Sequence, residues 1–223
     1  MSQLLRVQNF FVSTDGFGAG QDQSLEAPFG HAEPRGGRVA NLPADLASWA
    51  FATASWPNRT EPGGSRGLDD YFTRDFLHNV GAEIMGRNKF GPQRGPWKDL
   101  DWKGWWGDTP PFHTPVFVLT HHSRPSFTLA DTTFHFLDAT PVEALRRAKE
   151  AAEGKDVRLG GGVATIREFL EADLIDTMHV AVAPVEIGRG ERLWTSYQDL
   201  LDRFHLESVQ SASGVTHLLF WRR

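Results

Sequence analysis

No cysteine occurs among the 223 residues. Disulfide bonds and thiolate chemistry are therefore excluded, and a reducing, cytoplasmic setting is compatible with the chain. No stretch approaches the roughly eighteen consecutive apolar residues of a spanning helix. The N-terminus has no charged segment leading into a long apolar one, so neither a membrane span nor a signal peptide is expected. A basic block is missing too: 23 Lys and Arg face 28 Asp and Glu, which argues against nucleic acid as a partner. Asn58-Arg59-Thr60 fits a glycosylation sequon, but with no secretory signal it reads as chance. Internal repeats and low-complexity segments are also lacking.

The remainder is ordinary globular composition, 40% hydrophobic and 23% charged, with enough length to bury a core. One domain over residues 1–223 is expected, with a long insertion at about 18–67 and a Trp-rich loop at about 91–114 (Trp97, Trp102, Trp105, Trp106 and Phe112). That loop suits a lid, an oligomer surface or plain packing. Predicted strands lie at Leu4–Val12, Ala82–Met85, Val116–Leu119, Phe134–Leu137, Met178–Val185, Phe204–Val209 and Val215–Trp221, the last two forming a hairpin. Predicted helices lie at Leu42–Thr53, at Leu68–Asn79 with Gly81 ending it, and at Thr140–Glu153. The last opens with a Thr140 cap, Pro141 in the first turn and Glu143 completing a capping box. Strands alternating with helices before a closing hairpin give an α/β sheet, mainly parallel with an antiparallel edge.

The stretch that organises this pattern is Val157-Arg158-Leu159-Gly160-Gly161-Gly162-Val163-Ala164-Thr165-Ile166. A short apolar run ends in three glycines, and Val163, Ile166, Leu170 and Leu174 then repeat at helical spacing. A strand, a tight corner and a helix N-terminus result. Such an N-terminus offers unpaired N–H groups and a positive dipole end, which suit a phosphate or pyrophosphate. Two readings stay open on the glycines alone, an anion cradle and a ligand-free turn. Two further strand ends carry polar groups: Arg87 after Met85-Gly86, and Thr120, His121, His122 and Arg124 after Val116–Leu119. Ligands of α/β sheets bind beyond the carboxyl ends of strands, and arginine can hold phosphate through a bidentate fork. Arg87 alone reads equally as a surface cation. A metal is not expected at His121-His122, since no third ligand has suitable spacing and neighbours on a strand point to opposite faces.

Met85-Gly86-Arg87, Val118-Leu119-Thr120 and Leu159-Gly160-Gly161-Gly162, in that order and spacing, resemble the dihydrofolate-reductase fold. Phe169-Leu170, Leu174-Ile175-Asp176, Pro184-Val185, Gly188-Arg189-Gly190, Leu193-Trp194 and Ser13-Thr14-Asp15-Gly16 resemble the reductase domain of the riboflavin-biosynthesis deaminase–reductase. The resemblance covers most of the chain except roughly Gly18–Gly67 and the Trp-rich loop. It implies an α/β three-layer sandwich with about eight strands in a mainly parallel central sheet and an antiparallel C-terminal edge. It also implies an NADPH-dependent reductase that passes hydride to a small heterocyclic, pyrimidine- or pterin-like substrate, a homodimer and a cytoplasmic location.

On this resemblance Leu159, Gly160, Gly161, Gly162, Val163, Ala164 and Thr165 cradle the pyrophosphate. Arg87, with Met85, Gly86 and Asn88 around it, meets the adenosine 2′-phosphate, and Thr120 helps it. His121, His122 and Arg124 lie toward the adenine. Lys89 departs from the threonine that folate reductases usually carry there. Asn41-Leu42-Pro43-Ala44-Asp45-Leu46-Ala47 resembles the folate-reductase helix bearing the substrate carboxylate, which falls on Asp45; an ordinary first-turn Asp is the other reading. Folate reductases support that acid with a threonine on a later strand, whereas Val180-Ala181-Val182-Ala183 is wholly small and apolar. Asp15 is a second catalytic candidate, and otherwise a turn residue before Gly16. Without cysteine no deaminase zinc motif exists, so only the reductase chemistry remains. The alternative is a non-catalytic nucleotide-binding or interaction module that keeps this fold.

Overall fold

The computed structural model describes residues 2–32, 45–57, 59 and 62–223. Among them, nine strands form one sheet. In chain order these are β1 (Leu5–Ser13), β3 (Val80–Gly86), β4 (Pro115–Leu119), β5 (Phe127–Leu129), β6 (Thr132–Leu137), β7 (Asp156–Gly161), β8 (Thr177–Ala183), β10 (Phe204–Gln210) and β11 (Thr216–Arg222). Their order across the sheet is β10-β11-β8-β1-β7-β3-β4-β6-β5. A separate two-stranded ribbon pairs β2 (Phe17–Ala19) with β9 (Glu191–Arg192). The pairs β1–β7, β7–β3, β3–β4 and β4–β6 are parallel, while β8–β11 and β11–β10 are antiparallel. The α/β class, the mainly parallel sheet and the antiparallel C-terminal strands thus agree with the sequence reading. The short β5–β6 hairpin and the β2–β9 ribbon were not anticipated.

The chain groups into two compact units, residues 1–7 with 79–176 and residues 8–78 with 177–223. In the first, α4 (Pro141–Ala151) starts where expected: Thr140 Oγ1 accepts from the Glu143 amide at 3.3 Å. The Glu143 carboxylate is held by Arg146 and Arg147. Ala144, Leu145 and Ala148 turn inward. Gly81 belongs to β3 rather than ending a helix, and a side chain there would meet the Ala152 carbonyl at the end of α4. The aromatic loop packs within this unit. Phe90 is fully buried, with the rings of Trp97, Phe127, Phe134 and Phe136 around it, and Trp106 lies on Phe112 and Phe134.

In the second unit, α2 (Leu68–Arg74) is shorter than predicted, and turns fill the residues up to Asn79. A buried hydrogen-bonded thread ties α2 to the strands. Asp69 Oδ1 meets His217 Nε2 at 2.8 Å, His217 Nδ1 meets His179 Nε2 at 2.9 Å, and His179 Nδ1 meets Asn9 Oδ1 at 2.8 Å. Phe72 stacks on both imidazoles. Burial and the neighbouring His217 push His179 well below the usual imidazole range. The small side chains of β8 have a packing role: Trp49 and Ala50 rest on Ala181, and Leu46 rests on Ala183. Of the predicted Leu42–Thr53 helix, residues 42–44 lie outside the described set, as do Asn41, Asn58 and Thr60; the described part is helical only over α1 (Ser48–Phe51). Among the described residues, no helix is long and apolar enough to cross a membrane.

Candidate functional site

The parallel pairing of β3 and β7 brings two separately predicted features to one strand-end edge. Met85 and Gly161 are register partners, so Gly86-Arg87 and the triple-glycine corner leave the sheet side by side. They touch: a Cβ on Gly86 would lie 2.2 Å from Thr165 Oγ1, in the first turn of α5 (Val163–Glu171). The glycines answer different demands. A Cβ on Gly160 would fall 2.2 Å from the buried Glu83 Oε1, and Gly161 has φ +102°, a backbone region costly for other residues. At Gly162 a Cβ would meet no atom of the described residues within 4 Å. Gly162 is also the N-cap of α5, where no side chain caps the helix and no acid sits in the first turn. The first-turn amides and the positive end of the dipole are therefore left without a capping side chain or a neighbouring acid on α5.

Beneath the corner lies a buried charge cluster. Arg158 Nη1 pairs with Glu83 Oε2, and the two side chains are 2% and 0% exposed. Glu83 Oε1 has no hydrogen-bond partner. Lys89 is half-buried, and its Cε would lie 3.4 Å from a Cβ at Gly160. Burial lowers the Lys89 amine to about 8, helped by Arg158 and opposed by Glu83.

Arg87 stands on α3 (Arg87–Phe90) with its guanidinium 3.8 Å above the Trp97 ring. Its Nε and Nη2 are buried without a hydrogen-bond partner. Burial depresses its pKa, and the nearby Arg94 and Arg124 add to the effect. The Trp97 indole donates to the His122 carbonyl at 2.8 Å. Thr120 is buried, and its hydroxyl accepts from the His122 amide at 3.1 Å, closing the turn after β4. His121 points outward to Asp138, at 2.9 Å. Arg124 donates to the carbonyls of Trp102 and Leu100, which anchors the aromatic loop. Met85 is buried in β3, Leu159 in β7 and Val163 in α5, while Asn88 is half-buried and Ala164 exposed. Among the described residues no group of acids, histidines or cysteines can hold a metal.

In the second unit a cavity of about 340 Å³ is lined by Ser13, Thr14, Asp15, Trp194, Ser196 and Tyr197, among others. Asp15 accepts from Ser13 Oγ at 2.5 Å, Gly188 N at 2.8 Å and Ile187 N at 3.3 Å. Burial raises its pKa, but these hydrogen bonds outweigh that and the net shift is downward. Asp15 is thus a carboxylate at neutral pH, suited to accepting hydrogen bonds. Asp45 is buried, and its Oδ1 accepts from the Ala47 and Ser48 amides at 2.8 and 2.7 Å, opening α1; it is not among the cavity-lining residues.

Residue-by-residue reading missed the part that four residues play at this edge. Glu83 and Arg158 are charges inside otherwise apolar strand runs, and that interruption was the available signal. Arg94 and Trp97 follow Arg87 by seven and ten residues in a loop whose aromatic content drew attention away from its cations.

This chain belongs to the RibD C-terminal domain family, whose model matches residues 7–218. Solved structures show the same fold. A protein from Shewanella sp. PV-4 named for riboflavin biosynthesis aligns over 100% of this chain and 99% of its own, with 19% identity and a TM-score of 0.56. A pyrimidine reductase-like protein from Corynebacterium diphtheriae aligns over 100% and 92%, with 13% identity and a TM-score of 0.50. A diaminohydroxyphosphoribosylaminopyrimidine deaminase/5-amino-6-(5-phosphoribosylamino)uracil reductase from Thermotoga maritima aligns over 100% and 57%, with 13% identity and a TM-score of 0.55, so this chain spans little more than half of that protein. No curated protein matches the sequence.

Proposed function

We propose that the chain is an NADPH-dependent reductase acting on a small pyrimidine-like heterocycle. One observation carries this reading: an arginine with unpaired buried donors stands beside an open, uncapped glycine corner at the adjoining ends of β3 and β7. These features fit a ligand with two phosphate-bearing parts. The first-turn amides of α5 take the pyrophosphate, since no side chain or acid competes for them. The Arg87 fork takes a terminal phosphate monoester, which distinguishes NADPH from NADH. When bound, the dinucleotide supplies the hydride.

The hydroxyls of Ser13, Thr14, Ser196 and Tyr197 give the cavity donors and acceptors for a polar ring, and Trp194 offers an apolar face. Asp15, ionised and held by the Gly188 amide, accepts hydrogen bonds from ring N–H groups; it orients the substrate rather than supplying a proton. The family membership and the reductase names of the structural relatives support a pyrimidine class. The relatives' branch also suggests a homodimer, which sedimentation would test.

Titration of the purified protein with NADPH and NADH tests the reading. NADPH should bind at micromolar levels and NADH far more weakly, and Arg87→Ala should reduce the difference. No binding of either nucleotide at millimolar concentration would remove the proposal. Binding without turnover across a panel of pyrimidines would favour a nucleotide-binding module instead.

A further inference from the structure

We infer that Arg94 and Trp97 of the aromatic loop complete, with Arg87, a recognition site for a phosphate monoester dianion, in which Trp97 positions the Arg87 fork. The inference deepens the cofactor reading above and rests on it for the identity of the nucleotide.

The two unpaired nitrogens of Arg87 are Nε and Nη2. They form one edge of the guanidinium, the edge that makes two parallel hydrogen bonds to two oxygens of a phosphate. Trp97 covers the flat face of the same group at 3.8 Å, an attractive cation–π distance, while Nε and Nη2 on the edge stay without a hydrogen-bond partner. The indole cannot drift freely, because its N–H is tied to the His122 carbonyl. The aromatic ring therefore fixes the plane of the fork.

Charge points the same way. Arg94 and Arg124 both lie close enough to depress Arg87 electrostatically. Each is held on loop carbonyls, Arg94 by Gly91 and Pro92, Arg124 by Trp102 and Leu100. Asp99 and Asp101 act on Arg124 and oppose the lowering of its pKa. Like charges gathered around a desolvated guanidinium are unfavourable until an anion joins them. Arg94 is exposed and offers the first point of capture, whereas Arg124, spread over Trp97, Phe127 and Phe136, is the structural member. A doubly charged monoester suits such a cluster better than a singly charged diester.

The test is calorimetric titration of the full chain with 2′,5′-ADP, 5′-AMP and inorganic phosphate, for the wild type, Arg94→Gln, Trp97→Leu and Trp97→Phe. The wild type should prefer 2′,5′-ADP over 5′-AMP. Arg94→Gln should cut that preference on the order of tenfold, and Trp97→Leu several-fold, by roughly the loss of one cation–π contact. Trp97→Phe should keep most of it, because a ring face remains. Each effect should shrink at high salt. An unchanged preference in both Arg94→Gln and Trp97→Leu overturns the inference while leaving the cofactor reading in place. If Trp97→Leu does not fold, Arg94→Gln decides alone, since Arg94 is exposed. Binding of inorganic phosphate but no adenine nucleotide, with the phosphate lost in Arg94→Gln, keeps the anion site and removes the nucleotide reading. No binding of any probe overturns both.

Discussion

Two glycines of the same corner, separated only by Gly161, should respond to the same substitution in opposite ways. Gly160→Ala places a methyl 2.2 Å from Glu83 Oε1 and 3.1 Å from its Cδ, so that carboxylate must move by about an ångström. It has little freedom to do so, being fully buried and paired with Arg158. Overpacking costs about 1–3 kcal/mol, and complete loss of a buried pair costs about 3–5 kcal/mol. An intermediate loss of about 2–4 kcal/mol follows, which at this chain length lowers Tm by roughly 5–15 °C. Gly162→Ala meets nothing within 4 Å and has φ −73°, which alanine adopts readily. Its stability should stay within about 1 kcal/mol of the wild type, on either side. The new methyl, however, stands in the space before the α5 amides. NADPH affinity should fall about tenfold or more, about 1.4 kcal/mol or greater. Urea unfolding and fluorescence titration with NADPH read the two quantities separately. A stable Gly162→Ala protein that binds NADPH as the wild type does would show that no ligand uses the corner. A Gly160→Ala protein of normal stability would refute the placement of Glu83.

Three further outcomes can be checked. Asp45→Ala should lose about 1 kcal/mol through the two amides it leaves unpaired; if Asp45 only opens α1, Asp45→Asn should restore stability and keep kcat, whereas a direct chemical role would leave Asp45→Asn folded but slowed by orders of magnitude. Lys89 binds its proton less tightly in the folded chain, at about 8 against 10.5 in the unfolded chain. The unfolded state therefore holds more protons between those values, and stability should rise with pH across that window, by up to ~3 kcal/mol. Urea unfolding from pH 7 to 10 should show the slope, and Lys89→Met should lose it. Asp15 behaves in the opposite sense: its depressed carboxyl stabilises the fold above the unfolded value of 3.8, and that contribution disappears as pH falls through the lower folded value. Acid titration of the wild type and Asp15→Asn should separate below pH 4, and equal acid curves would contradict the hydrogen bonds drawn to Ser13 and Gly188.

The alternation of apolar strands and amphipathic helices made the main sheet legible, because β3, β4, β7 and β8 are apolar runs bounded by Gly, Pro or polar turns. The Thr140-Pro141 start of α4 was equally plain. That Arg87 and the glycine corner share one edge could be expected because both lie at carboxyl ends of strands in an α/β sheet, and the family resemblance implies it too; their direct adjacency depends on the β3–β7 register, since residues 87 and 160 are far apart in the chain. Other features depend on contacts that local pattern does not carry. Phe127–Leu129 is a strand because Phe134 and Thr132 pair with it, not because three residues announce one. Leu68–Asn79 has the apolar content of a longer helix, yet regular helix stops at Arg74 and turns carry the chain into β3. Glu83 and Arg158 could be recognised as a pair only once β3 and β7 were seen to be neighbours.

The polar thread from Asp69 through His217 and His179 to Asn9 also has a consequence for strand alignment. His217 sits opposite Ala181 on β8, and Leu219 opposite His179. A slip of β11 by a single position would turn the His217 ring to the other side of the sheet, stranding a carboxylate on one side and an imidazole on the other. Oily neighbours tolerate such misalignment far better than donors and acceptors sealed from water. The two histidines thus act as a lock on the closing hairpin, rejecting every threading of the last strand but one.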